Sequence, residues 1–268
     1  DGMLSGLSIK HLISSFRKTR EIKSLELAKS LHIYICIIGL DIHPVIGNHF
    51  VPLLVECGSL HYAYQTFLRL YQRTEHSWTS LIQGYVENGC FQNALDLFHT
   101  MPQYCINPSK YTFQAIVKCY ARMKWLEKGQ EIHAKILMEG LSADLMIGNT
   151  LIDMYVKRAL FASAQTVFRN LPIRDAISWT TLIGGYAQHC HCKEGSSCFE
   201  EMQLDGVSPN VVTFSEVLKC YCNMDEFCKG QDLHAIIVNV GLERELILGS
   251  SLIAMYARFF YLDEVEQV

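Results

Sequence analysis

Apolar residues along this chain fall three and four apart, and the pattern restarts at a fixed distance. Trp78, Leu81, Ile82 and Tyr85 stand at i, i+3, i+4 and i+7, which is one apolar stripe of an α-helix. Asn88-Gly89 interrupts the stripe, since glycine accepts the left-handed conformation that ends a helix. Phe91, Ala94, Leu95, Phe98 and Met101 then make a second stripe, with the small Ala94 where two helices must approach closely. Asn107-Pro108 closes the unit, because proline disfavours helix in the residue before it. Each unit therefore reads as two helices, and none shows the period-two alternation of a strand.

The same residues return 101 positions later. Ser77-Trp78-Thr79 recurs as Ser178-Trp179-Thr180, Thr112-Phe113 as Thr213-Phe214, and Lys118-Cys119-Tyr120 as Lys219-Cys220-Tyr221. His32, His133 and His234 sit one period apart. The period divides into 75–109, 110–144 and 145–175, which are 35, 35 and 31 residues long. The next set is 176–210, 211–245 and a truncated 246–268; upstream, 44–74 fits the short unit, and 9–43 aligns with the second unit from His32 onward. A lone helix pair of this size cannot bury its apolar face, whereas stacked neighbours can. The expected fold is all-α: a right-handed α-solenoid of stacked helix-turn-helix repeats over residues 9–268, with a concave groove. Such an array is usually a binding surface rather than an enzyme.

Composition narrows this picture. Half of the 268 residues are apolar, 19% are charged and only six are proline, which favours ordered helices over disorder. The net charge of -4 weighs against a phosphate-binding surface overall but says nothing about one face of the array. Eleven cysteines, an odd number scattered through helical patterns, read as reduced thiols of an intracellular compartment. The richest apolar stretch, Leu31 to Leu40, is far short of the roughly 18 residues of a membrane span, so no membrane partner is expected. The chain begins at Asp1 and ends partway through a repeat, so a fragment or processed form is expected.

These residues resemble the pentatricopeptide repeat family, and specifically its plant subgroup in which standard, long and short repeats alternate. The unit 176–210 is similar to the standard type through Ile177-Ser178-Trp179-Thr180-Thr181-Leu182-Ile183-Gly184-Gly185-Tyr186, Met202 and Gly206-Val207-Ser208-Pro209-Asn210. The unit 110–144 resembles the long type through Leu126-Glu127-Lys128-Gly129, Ile132-His133-Ala134 and Gly140-Leu141. The unit 145–175 resembles the short type through Gly148-Asn149-Thr150-Leu151-Ile152-Asp153-Met154-Tyr155. On this resemblance 9–43 and 211–245 are long, 44–74 and 246–268 short, and 75–109 standard. Tetratricopeptide repeats would need a 34-residue unit and a Trp-x-x-Leu-Gly-x-x-Tyr pattern, which the spacing after Trp179 does not give. Cys190 and Gly195 depart from the usual Gly and Ala of the standard type; glycine inside a helix costs about 1 kcal/mol relative to alanine.

The resemblance implies single-stranded RNA as ligand, one base to each repeat, read on edges that unstacked bases expose. Its readers are the fifth and last residues of each repeat, with the second residue sandwiching the base. By position the pairs are Asn48 with Thr74, Thr79 with Ser109, Gln114 with Asp144, Asn149 with Asp175, Thr180 with Asn210, and Ser215 with Glu245, leaving Ser250 alone in the last repeat. By the family's rules Asn149/Asp175 resembles a uracil reader and Thr180/Asn210 an adenine reader. Thr79/Ser109 leans to purine and Asn48/Thr74 to pyrimidine, while the long repeats are assigned no base. The implied site is pyrimidine–purine–any–U–A–any. The resemblance further implies an organellar RNA in mitochondrion or chloroplast, with editing-complex proteins as additional partners.

No cofactor, catalytic residue or small-molecule substrate is expected. The chain has neither the His-x-Glu and Pro-Cys-x-x-Cys signature of a zinc deaminase nor a nucleotide-binding glycine loop or nucleophile motif. The recurring histidines lie too far apart to share an ion and are read as packing. His189-Cys190-His191-Cys192 is the most metal-like run, yet consecutive helical residues point apart and do not converge on one ion. Trp78 and Trp179 are read as core rather than as stacking platforms. Asn149 and Thr180 read equally as helix-start residues and as base readers. Beside the RNA reading stands a second one, a helical-repeat scaffold for a protein partner. Lys118, Arg122 and Lys219, if they form a basic stripe, favour RNA.

Overall fold

A computed structural model of the protein describes residues 6–259. Among the described residues there are helices and turns but no strand, and the helices come in pairs. They are α1 (Gly6–Ile22) with α2 (Leu25–Ile37), α3 (Pro44–Glu56) with α4 (Leu60–Arg69), α5 (Glu75–Glu87) with α6 (Phe91–Thr100), and α7 (Lys110–Met123) with α8 (Leu126–Met138). They continue as α9 (Leu145–Val156) with α10 (Phe161–Asn170), α11 (Ala176–Gln188) with α12 (Cys192–Leu204), α13 (Val211–Asn223) with α14 (Phe227–Val240), and α15 (Leu246–Arg258). A short 3-10 turn, Met101–Tyr104, extends α6. Helix α1 opens at Gly6, ahead of the repeat start expected at residue 9, because nothing between the two breaks a helix. The end of the last repeat, 260–268, lies outside the described residues.

The chain divides into two compact units, Asp1–Met123 and Lys124–Val268. In the first unit α3 packs on α5 and α5 on α7, and in the second α9, α11, α13 and α15 pack in series. Second helices pack on their own first helices, α4 on α3 and α6 on α5 in the first unit, and α10 on α9, α12 on α11 and α14 on α13 in the second. This serial stacking of helix pairs is the all-α solenoid expected from the repeat.

The stacking rests on large apolar side chains and on small ones where helices touch. Trp78 is buried edge-on to Phe67 with ring centres 4.7 Å apart, and Trp179 repeats this against Phe168 at 4.6 Å. Both tryptophans are core residues. Cys119 and Cys220 are fully buried at one repeat position, and burial pushes the Cys119 thiol up to about 11. All eleven cysteines are free thiols. A methyl group at Gly185 would lie 2.5 Å from Val156 Cβ, and one at Gly84 would lie 2.5 Å from Val55 Cγ1. Glycine lets α11 meet α9, and α5 meet α3, at that range.

The two departures of the standard repeat have distinct settings. Cys190 takes the left-handed conformation with φ of 60°, the place filled by Gly89 at 75° one period earlier. A methyl group at Gly195 would stand 3.0 Å from Cys220 Sγ, so the glycine makes room for the buried thiol. The run from His189 to Cys192 is the turn between α11 and α12. Cys192 is buried beside Cys220, while His191 lies against the Phe161 ring. Among the described residues no three His, Cys, Asp or Glu side chains are grouped to hold a metal ion. Nor is any described helix long and apolar enough to cross a membrane.

The recurring histidines are structural in placement. His133 Nδ1 lies 2.8 Å from the Tyr155 hydroxyl, and His234 Nδ1 lies 2.8 Å from that of Tyr256. His32 stacks on Phe50 and approaches Cys36 Sγ at 3.5 Å. Burial lowers the pKa of all three below the ordinary 6.5.

Two outcomes follow. Gly185→Ala lowers stability by about 1–3 kcal/mol in urea unfolding, because the clash with Val156 outweighs alanine's better helix propensity. A lowered histidine pKa means that the unfolded chain binds protons more readily. The stabilisation is therefore full above 6.5 and is lost as pH falls through that value toward the folded pKa. The urea midpoint drops between pH 7.5 and 5.5, and by less in a His133→Gln/His234→Gln double variant.

Candidate nucleic-acid interface

The starts of the first helices carry a polar network that returns from repeat to repeat. A helix start leaves backbone N–H groups without partners, and short polar side chains satisfy them. Thr74, Asp144, Asp175 and Asn210 do this for α5, α9, α11 and α13. All four are last residues of their repeats, so the helix caps and the expected base readers are the same side chains.

The first unit holds its pairs tightly. Asn48, buried on α3, donates through Nδ2 to the carbonyls of Pro44 at 2.7 Å and Gln72 at 2.8 Å. Its Oδ1 accepts from the Thr74 N–H at 2.9 Å, the Thr74 hydroxyl at 3.1 Å and the Ser77 hydroxyl at 2.8 Å. Thr79 Oγ1 sits 2.6 Å from Glu75 Oε1 and 2.6 Å from Thr112 Oγ1. Ser109 donates its N–H to the same Thr112 oxygen at 3.2 Å. Gln114 is half-buried on α7.

The second unit repeats the arrangement. Asn149 Nδ2 donates to Asp175 Oδ1 at 3.3 Å, and Ser178 Oγ lies 2.6 Å from Asn149 Oδ1 and 2.8 Å from Asp175 Oδ1. Burial pushes the Asp175 carboxyl up, but hydrogen bonds from the Ser178 backbone and hydroxyl, from Asn149 and from the Ile177 backbone outweigh it. Its pKa lies below the usual value, and the group is an acceptor-only carboxylate at neutral pH. Thr180 Oγ1 lies 2.6 Å from Thr213 Oγ1, and Asn210 Oδ1 accepts from the Thr213 N–H at 3.0 Å and its hydroxyl at 3.1 Å.

The structure thus joins Asn48 to Thr74 and Asn149 to Asp175 directly. It joins Thr79 to Ser109 and Thr180 to Asn210 through one shared threonine. Ser215 is bonded instead to Ser251 at 2.9 Å, and Glu245 is exposed and makes no capping bond with its side chain. Gln114 belongs to the first unit and Asp144 to the second. Ser250 is exposed and donates to the Ile247 carbonyl in its own helix at 2.8 Å.

Beside these polar pairs, in each unit, stand exposed apolar side chains. Val45, Tyr111, Met146, Ile177, Val212 and Ile247 are second residues of their repeats, and all are 41% to 59% exposed. The signal in the sequence is an apolar residue two places after the helix cap, off the core stripe. An open cleft of about 340 Å³ between α9, α11 and α13 brings Ile177 and Val212 together with Thr180 and Asn210. A second cleft of about 420 Å³, between α11, α13 and α15, is lined by Ser250, Lys219 and Arg258. Apolar plates beside paired donors and acceptors suit a flat group with a hydrogen-bonding edge.

The three basic residues do not form a free stripe. Lys219 is paired with Glu216 at 2.8 Å, and Arg122 donates to the Val86 carbonyl at 2.8 Å, while Lys118 is exposed. The acidic residues of the same helix faces are therefore what sequence spacing missed, since Asp153 neutralises Lys157 in the same way at 2.7 Å.

Fold and interface together define a helical-repeat binding protein. Residues 73–122 and 174–223 match the PPR repeat family. A chloroplastic pentatricopeptide repeat-containing protein of Arabidopsis thaliana is 32% identical over 240 residues, covering 90% of this chain and 27% of the relative. A mitochondrial one from the same plant is 28% identical over 247 residues, covering 92% of this chain and 24% of the relative. The chain thus spans about a quarter of the length of these two relatives. Among solved structures, pentatricopeptide repeat protein PPR10 in complex with an 18-nt psaJ RNA element superposes with a TM-score of 0.55 at 15% identity, over 87% of this chain and 40% of that one. This chain is a pentatricopeptide repeat protein.

Asn48 and Asn149 take the same repeat position but differ in burial, and so in cost. Asn48→Ala orphans buried partners and lowers stability by about 1–3 kcal/mol in urea unfolding, and Asn149→Ala, half-exposed to water, lowers it by less.

Proposed function

We propose that this chain recognises single-stranded RNA by sequence, one base to each repeat, as the address-reading part of an organellar RNA-processing or C-to-U editing factor of the alternating plant subgroup. The observation that carries this reading is the cleft at Ile177 and Val212. There, two exposed apolar side chains flank Thr180 and Asn210, as a base held between plates and read along one edge requires. PPR10, whose fold this chain shares, has been captured with RNA, and the relatives that carry organelle names are chloroplastic and mitochondrial. Base readers are the pairs Asn48/Thr74, Thr79/Ser109, Asn149/Asp175 and Thr180/Asn210. The long-repeat residues Gln114, Asp144, Ser215 and Glu245 contribute no base preference. Catalysis belongs to other parts of the factor or to its partners.

Lys219 and Lys157 are paired with acidic neighbours, and stacking and edge contacts add to what phosphate contacts supply. The same ion pairs are what a protein scaffold would show, and the two readings part on salt dependence, which is steep for RNA. Fluorescence anisotropy with a short RNA carrying the U–A step, against a copy with G–C, tests the proposal. Tighter binding of the first is expected, by about 1–3 kcal/mol per mismatched base. Thr180→Asn/Asn210→Asp shifts the fifth base from A toward U. Equal, salt-sensitive binding to both RNAs discards the register, and binding to neither moves the reading to the protein scaffold.

A further inference from the structure

We propose that a buried hydroxyl in the third position of the following repeat sets the base preference of each reader pair; Ser77, Thr112, Ser178 and Thr213 are positioning residues for RNA recognition. This rests on the RNA reading above. All four side chains are 0% exposed, so they touch no ligand and act only through the readers. Each lies between the fifth and last residues of the repeat before it. Ser77 approaches Asn48 and Thr74, Thr112 approaches Thr79 and Ser109, Ser178 approaches Asn149 and Asp175, and Thr213 approaches Thr180 and Asn210.

At Thr213 the directions of the bonds can be followed. Its one hydroxyl proton goes to Asn210 Oδ1 at 3.1 Å, and its oxygen accepts the Asn210 N–H at 3.2 Å. The 2.6 Å contact with Thr180 therefore has Thr180 as donor. Thr180 is left presenting lone pairs. Asn210 Oδ1 already accepts the Thr213 N–H and hydroxyl, so Asn210 is left presenting its amide N–H groups. The pair shows an acceptor and a donor in a fixed order. Amino bases (A and C) and keto bases (G and U) offer the complementary groups in opposite orders, so a fixed order discriminates between them. Without the Thr213 hydroxyl, Asn210 Oδ1 still accepts the Thr213 N–H, but the Thr180 proton rotates, so Thr180 accepts or donates and the order is no longer fixed.

The long repeats lack this device. After Ser215 and Glu245 the third position is the fully buried Leu248, and after Asp144 it is Ile147. Ser215 bonds Ser251 instead, and the Glu245 side chain caps nothing. Ser215 and Glu245, without the hydroxyl between them, have no imposed order and hence no base preference.

The test compares Thr213→Val, which keeps shape and removes the hydroxyl, with Thr213→Ser, which keeps the hydroxyl. Anisotropy is read with the whole chain and with RNAs differing only as A or G opposite Thr180/Asn210, and as U or C opposite Asn149/Asp175. Wild-type protein is expected to prefer A by about tenfold. Thr213→Val should bring A and G within about twofold, leave the preference at Asn149/Asp175 intact, and be matched by no such loss in Thr213→Ser. Retained preference for A in Thr213→Val overturns the proposal. So does loss at both positions, or loss in Thr213→Ser as well, since either marks a structural defect only. Wild-type protein that binds all the RNAs equally overturns the register and this inference with it, and wild-type protein that binds none of them overturns the RNA reading itself.

Discussion

Everything in this structure depends on consecutive first helices lying close enough to touch backbone to side chain. A helix pair of 31 or 35 residues has too little apolar surface to fold alone, and only the neighbouring pair completes its core. Gly84 against Val55 and Gly185 against Val156 set that distance, which no larger residue permits without displacement. The tryptophans fill the volume behind it, edge-on to Phe67 and Phe168. The same closeness brings the start of one helix beside the fifth residue of the previous one. The polar network at the helix starts is thus a by-product of apolar packing.

That coupling explains why the helix caps and the proposed base readers are the same side chains. A last residue such as Asn210 must lie where its oxygen reaches the N–H of Thr213, and this places it beside Thr180. A carboxylate such as Asp175 gains from the N–H groups of the helix start, which favour negative charge there. The cap therefore holds Asn210 in one rotamer, and a preordered side chain loses less entropy when it binds a ligand.

Much of this was legible in the sequence, because it lay in spacing. The apolar stripe from Trp78 to Tyr85 gave the helix and its buried face, and the return at Trp179 gave the array. Gly89, read as a left-handed helix end, has that conformation, and Cys190 takes it one period later without a sequence signal for it. The partners of the polar residues were not legible. Ser178 and Thr213 look like ordinary helix-start residues, since a serine or threonine there has a sufficient local reason in capping. Their second contact, to Asn149 or Thr180, crosses between helices and depends on a separation that only the packed structure fixes. Charge misled for the same reason. Lys219 counts as a free cation by composition, but Glu216 lies three residues before it on the same face of α13.

The difference between repeat types then has a physical root. A third-position hydroxyl and a third-position leucine are both buried at the same point of the stack, and both serve the core. Leu248 contributes apolar area and leaves the preceding pair without a shared partner, whereas Thr213 gives up some of that area and ties two readers together. A buried hydroxyl at the third position of one repeat ties together polar side chains of the repeat before it, and a buried aliphatic residue there supplies packing alone.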